Sequence, residues 1–206
     1  PTYVVTDPFF LTTLSKREII SGVGEILKYG FLINQKYFSL LKKRIPELLD
    51  KDFNNIEEII LQCARYKASV VQMDETDSGV RKILNLGHTF AHAIESELNY
   101  KLSHGESVLF GLKCMLCLSK QKGLLNQKKF NEYFSFLSVI KTDKKIFMLD
   151  EKSLVELMYY DKKNKNSRPS FVVMKGIGAI VIDFRVERKD IIKAIKSAKQ
   201  LSGVNS

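Results

Sequence analysis

The chain has 3 histidines in 206 residues, and all of them fall between positions 88 and 104, in "NLGHTFAHAIE" and "LSHGE". Imidazole is the side chain best suited to ligate a metal or move a proton near neutral pH. On a continuous helix over 81–98, Arg81, Asn85, His88, His92 and Glu95 follow spacings of 4, 3, 4 and 3. At 100° per residue these spacings confine them to an arc of about 80°. The flanking Ile83, Leu84, Leu86, Phe90, Ala91, Ala93, Ile94 and Leu98 are apolar, so the polar stripe is expected to face an internal polar cavity. Taken alone, it is explained equally well as a solvated helix face.

A second helix start lies close by. Ser103 and Glu106 have capping-box spacing, which places His104 in a first helical turn, where the positive end of the helix dipole disfavours the imidazolium. A neutral histidine is suited to bind a metal. Two histidines are one ligand short of the common catalytic zinc site, which uses three protein ligands and an open position. Glu25 is the candidate for the third: it lies among Ile20, Val23, Ile26 and Leu27, and a carboxylate buried there needs a cation or strong hydrogen bonds to stay charged. Lys28, one turn on, offers the simpler alternative of an ion pair. His88 and His92, four apart, have the spacing of the paired zinc ligands of H-E-x-x-H proteases, but Thr89 stands where that motif has its general base.

The elements that must position these residues are mostly helices. Ser15 and Glu18 form a capping box that starts a helix over "KREIISGVGEILKYGFLIN". Helical patterns follow at about 37–50, 55–73, 81–98, 104–122, 127–138, 153–160 and 187–201. "PTYVVTDP" reads as a short N-terminal strand, and "SFVVM" and "AIVIDF", joined through "KGIG", as a C-terminal β-hairpin. The fold class is therefore mainly α. The glycines of "SGVGEILKYG" lie inside a helix and lack the strand-turn-helix context of a dinucleotide fingerprint.

Composition narrows the function classes. The chain is 45% hydrophobic, enough for a packed core. Its net charge of +10 is mostly lysine scattered over helix surfaces, so nucleic acid is not expected as a partner. Cys63, Cys114 and Cys117 make no disulfide framework, and Cys114 and Cys117 sit in the apolar run "VLFGLKCMLCLSK", where cysteine acts as a small hydrophobe. A reducing, cytoplasmic location is expected, with no membrane span and no secretory leader.

"GEILKYG", "DETDSGVRKILNLGHTFAHAIE" and "LSHGES" resemble the C-terminal domain of the 3-dehydroquinate synthase family, within the sugar-phosphate cyclase superfamily. The resemblance runs from "DPFFLTTLSKREIISGVGEILKYG" to "DKKNKNSRPSFVVMKGIG". It implies a multi-helix metal- and substrate-binding domain over 1–206, with the family's N-terminal NAD-binding domain absent from this chain. It also implies NAD and zinc, or cobalt in its place, as cofactors and a homodimer. The implied reaction, a step of the shikimate pathway, closes 3-deoxy-D-arabino-heptulosonate 7-phosphate to a carbocycle with loss of phosphate. The family's metal ligands fall on Glu25, His88 and His104. By the same carry-over Lys28 lies beside the substrate hydroxyls, Lys67 and Arg81 hold the substrate carboxylate, and Asn85 and His92 reach the phosphate. Lys162 or Lys163 joins them there. Phe10, Leu11, Thr12 and Thr13 touch NAD. Asp77 stands where the family often has a glutamate, a shorter carboxylate that calls for a backbone adjustment. The isolated domain is expected to be inactive. Competing expectations are another sugar-phosphate cyclase, such as 2-deoxy-scyllo-inosose synthase, a relative of iron-dependent alcohol dehydrogenases, or a metal-stabilised, non-catalytic helical module.

Overall fold

The computed structural model describes residues 2–77, 79–160 and 169–203. Helix α5 (His104–Gln121) is buried at every position from Ser107 to Ser119. A helix apolar all round belongs at the centre of a bundle, and α5 is packed by α1 (Lys16–Leu32), α4 (His88–Glu97), α6 (Gln127–Leu137), α9 (Arg188–Gly203) and strand β1 (Phe171–Gly176). Cys114 and Cys117 lie in this core. On the far side of α1, α2 (Gln35–Leu49) adds Phe38 and Leu41, and Phe31 of α1 meets Phe38, Tyr133 and Phe136 in an aromatic cluster. Helix α3 (Ile56–Met73) also touches α1, and α8 (Glu151–Tyr160) lies against α4 and α9.

The capping residues behave as their chemistry requires. Ser15 Oγ accepts from the Glu18 amide and Glu18 Oε2 from the Ser15 amide, so α1 begins where the sequence pattern places it. Ser103 donates to Glu106 Oε2 through both its amide, at 3.0 Å, and its hydroxyl, at 2.6 Å. The hairpin is also as expected: β1 pairs antiparallel with β2 (Ala179–Phe184), with Gly178 at φ 71° in the turn.

Three features depart from the sequence reading. The N-terminal segment expected as a strand is non-regular from 2 to 7, with Tyr3, Val4 and Val5 exposed. Strand propensity without a neighbouring edge to pair with does not make a ladder. A short helix, α7 (Lys144–Phe147), appears where none was expected. The third departure bears on the site. The helix expected over 81–98 is broken: Val80–Asn85 is a 3-10 turn, Gly87 stands at φ 81°, and α4 starts only at His88. Glycine alone takes that backbone angle without strain, and a Cβ on Gly111 of α5 would stand 2.3 Å from the Gly87 carbonyl oxygen. The chain turns at Gly87 because α5 passes within contact of its backbone.

Candidate metal centre

Glu25, His88 and His104 arrive from α1, α4 and α5, and each is next in sequence to a glycine at a helix contact. Gly24 and Gly105 touch backbone to backbone where α1 crosses α5; a Cβ on Gly105 would stand 1.8 Å from the Ser21 carbonyl oxygen. The Gly105 amide donates to Ser21 Oγ at 3.1 Å. Glu25 and His104 are thereby brought closer than side chains at an ordinary helix separation of 8–10 Å would allow. Gly87 and Gly111 do the same for His88.

One atom of each side chain, Glu25, His88 and His104, falls in a set within 4.8 Å of one another. Glu25 Oε1 lies 3.4 Å from His104 Nε2 and 3.6 Å from His88 Nε2. Around a tetrahedral ion with bonds of about 2.0–2.1 Å, neighbouring ligand atoms stand about 3.4 Å apart. The spacing fits a metal ion. The chemistry fits as well: Glu25 Oε1 is buried and has no hydrogen-bond partner, an orphan that a cation satisfies.

The ion pair with Lys28 is also present, and it does not compete. Lys28 Nζ is 2.6 Å from Glu25 Oε2, the other oxygen. Burial raises the Glu25 pKa, but the charge and hydrogen bond of Lys28, joined by His88 and His104, leave it below the usual carboxylate value. The carboxylate is held ionised with one oxygen neutralised and the other aimed at two imidazoles. His88 is pushed down to about 4, first by burial and then by the Lys28 charge. Its Nδ1 lies 3.2 Å from the Leu86 carbonyl. A carbonyl only accepts, so Nδ1 bears the hydrogen and Nε2 keeps its lone pair for a ligand.

Beside this centre lies a cleft of about 870 Å³, lined among others by Lys82, Asn85, His88, Thr89, His92 and Asp183. Asn85 and His92 are exposed on its wall, which corrects the expectation of an internal cavity: with His88 these two line an open cleft. The His92 ring is 5.5 Å from that of His88. Arg81 sits just outside, half-buried. Asp74 organises its loop: Oδ2 accepts from the amides of Gly79, at 2.8 Å, and Arg81, at 3.0 Å, while Arg81 Nη1 donates to the Glu75 carbonyl at 2.8 Å. Asp77 stands at φ 55°, in the left-handed region. Lys67 is exposed on α3, which packs against the 3-10 turn carrying Arg81. Phe10, Thr12 and Thr13 are exposed and Leu11 half-buried on a 3-10 turn, Pro8–Thr13, ahead of α1. Lys162 and Lys163 lie outside the described residues.

The stripe as a single helical face does not exist, because the break at Gly87 rotates Arg81 and Asn85 relative to His88, His92 and Glu95. Sequence reasoning also assigned nothing to two arrangements. Glu95 Oε1 stands 2.7 Å from His104 Nδ1, and no local spacing reports a contact between helices. Asp183, at φ 53° within β2, binds Lys82 Nζ at 2.8 and 3.1 Å and accepts from Ser170 Oγ at 3.1 Å, tying the hairpin to the cleft. The irregular strand register around it was invisible in a short alternating run.

A family model described as 3-dehydroquinate synthase C-terminal matches residues 22–164. The chain belongs to the 3-dehydroquinate synthase family. The 3-dehydroquinate synthase of Chlorobaculum parvum is 36% identical over 208 residues, covering 97% of this chain and 57% of that protein. The enzyme of the same name from Pelagibacter ubique is 36% identical over 197 residues, covering 93% and 54%. The chain therefore spans about half the length of the curated relatives it matches. Among solved structures, ValA (2-epi-5-epi-valiolone synthase) from Streptomyces hygroscopicus with NAD+ and Zn2+ bound superposes with a TM-score of 0.81 at 20% identity, over 95% of this chain and 55% of that one. A 2-deoxy-scyllo-inosose synthase complexed with carbaglucose-6-phosphate, NAD+ and Co2+ gives 0.80 at 19% identity, over 93% and 54%. At these identities the likeness shows a shared fold, that of the sugar-phosphate cyclases. No described helix is long and apolar enough to cross a membrane.

Proposed function

We propose that this chain is the metal- and substrate-binding part of a 3-dehydroquinate synthase, which with NAD and zinc or cobalt converts 3-deoxy-D-arabino-heptulosonate 7-phosphate to 3-dehydroquinate and phosphate. The observation that carries the reading is the convergence of Glu25, His88 and His104 from three helices around one orphaned carboxylate oxygen. The family membership and the NAD+ and metal named for two structures of the same fold support it.

Each residue then has a task suited to its setting. Glu25, His88 and His104 hold the ion, which when bound supplies Lewis-acid polarisation of a substrate hydroxyl. Lys28 keeps Glu25 ionised and lies beside those hydroxyls. Arg81 has further N–H donors beyond the one given to Glu75, enough for a carboxylate to accept a forked pair, with Lys67 as second cation. Asn85 and His92, exposed in the cleft, donate to the phosphate, with Lys162 or Lys163 completing that end. Phe10 to Thr13 face the NAD, whose binding domain accounts for the relatives' additional length, and the enzyme works as a homodimer. The cations assigned to the substrate, Lys28, Lys67 and Arg81, suit a ligand with two anionic ends.

The test is turnover by the full-length protein loaded with zinc and NAD. Phosphate release from the heptulosonate phosphate supports the reading. Release from glucose 6-phosphate alone would reassign the chain to the inosose branch, and release from neither would leave a metal-binding module.

A further inference from the structure

We infer that Glu95 is a positioning residue of the metal centre: its carboxylate fixes the ring orientation and tautomer of His104. This inference rests on the reading of Glu25, His88 and His104 as metal ligands and adds a residue that is not itself a ligand.

The two histidines need different support. The His88 side chain is 12% exposed and its ring is held by packing and by the Leu86 carbonyl. The His104 side chain is 48% exposed and stands in the first turn of α5, so burial alone does not fix its ring. What meets it is Glu95, whose side chain is only 10% exposed and whose Oε1 lies 2.7 Å from Nδ1. A carboxylate oxygen has lone pairs to offer and no proton, so Nδ1 carries the hydrogen. Nε2 then keeps its lone pair on the side where Glu25 Oε1 waits at 3.4 Å. Carboxylate, imidazole and ligand site stand in the order that orients metal-binding histidines generally.

The burial of Glu95 is otherwise costly. A carboxylate taken out of water is unfavourable without a cation or hydrogen-bond donors, and His104 is the side chain found at it among the described residues. Glu95 also lies seven residues, two helical turns, beyond His88 on α4. One short helix thus contributes a ligand at its N-terminus and orients a second ligand that belongs to α5. Packing explains the burial of Ala91 and Ile94 on the same helix but not that of a carboxylate in contact with an exposed imidazole.

The test is zinc affinity, read by competition with a chromogenic chelator on the full-length protein. Glu95→Ala is expected to weaken binding about 10–100-fold. Glu95→Gln, whose amide oxygen still accepts from Nδ1, is expected to recover the larger part of it. In a His104→Ala background, removing Glu95 should change affinity by less than about two-fold, because its effect passes through a ring no longer present. The visible absorption of the cobalt-loaded protein should shift between wild type and Glu95→Ala, a change that a general loss of stability does not produce. Unaltered affinity in Glu95→Ala would overturn the inference, as would an equal loss with and without His104. If the alanine variant does not fold, Glu95→Asp, shorter by one methylene, must weaken zinc binding several-fold, and wild-type affinity there overturns the inference instead. A wild-type protein that takes up no divalent metal would remove the parent reading and this one together; metal bound equally by wild type and Glu95→Ala would remove this one alone.

Discussion

A Cβ on Gly24 would stand 2.2 Å from the carbonyl oxygen of Gly105. No non-bonded carbon–oxygen pair tolerates that separation, and a Cβ is fixed to its backbone and the carbonyl is backbone too, so no rotamer change relieves it. The two glycines therefore set how closely α1 and α5 approach, and that approach sets the gap between Glu25 and His104. Gly24→Ala is expected to destabilise the fold by about 1–3 kcal/mol or more, the usual range for overpacking. It should also abolish metal binding in whatever fraction still folds. Urea unfolding beside a zinc titration checks both, and a variant with wild-type stability and zinc uptake would refute the argument.

Metal removal should lower stability, because an ion that binds only the folded chain contributes RT ln(1 + [L]/Kd). At free zinc one hundred times the Kd this is about 2.7 kcal/mol, which for a chain of this size is on the order of 5–10 °C in Tm. Scanning calorimetry with and without chelator measures it. In His88→Ala the difference should disappear.

Arg81→Ala removes charge-assisted hydrogen bonding worth about 1.5–3 kcal/mol in all. A loss of about 10–100-fold in kcat/KM for the carboxylate-bearing substrate is expected, expressed mainly in KM, with Tm little changed. Steady-state kinetics of the full-length protein decides it, and an unchanged KM would mean that the substrate carboxylate is held elsewhere.

Lys113 is fully buried in α5, with Thr142 Oγ1 at 2.9 Å as its hydrogen-bond partner. Burial lowers its pKa from 10.5 to about 8. Between those values the unfolded chain keeps a proton that the folded chain has lost, so stability rises with pH from about 8 to 10.5. Below 8 the buried charge costs roughly 3 kcal/mol. Lys113→Met should be more stable than the wild type at neutral pH, with the advantage shrinking as pH climbs through that window. Parallel denaturation curves at pH 7 and 10 measure the difference, and a constant gap would show that burial is not its source.

Much of this site was legible because its signals are local. Capping boxes at Ser15 and Ser103 mark helix starts by residue type and a spacing of three, and Glu25, His88 and His104 stand out as a buried-type carboxylate and rare imidazoles. The polar stripe misled because periodicity assumes an unbroken helix, and a single glycine at φ 81° ends that assumption. Exposed strand formers at the N-terminus misled for a similar reason: propensity is local, but pairing is not.

By itself the sequence determined the helical class, most of the helix starts and the hairpin, since each follows from side-chain chemistry and short-range spacing, and together with the family resemblance it singled out Glu25, His88 and His104 as candidate ligands. Only the tertiary structure decided that Gly24 meets Gly105 and that Glu25 divides its two oxygens between Lys28 and the histidines. The same holds for Glu95, on one helix, turning His104 on another. These are contacts between helices far apart along the chain, fixed by how closely backbones approach in a packed core, and no spacing within a segment encodes them.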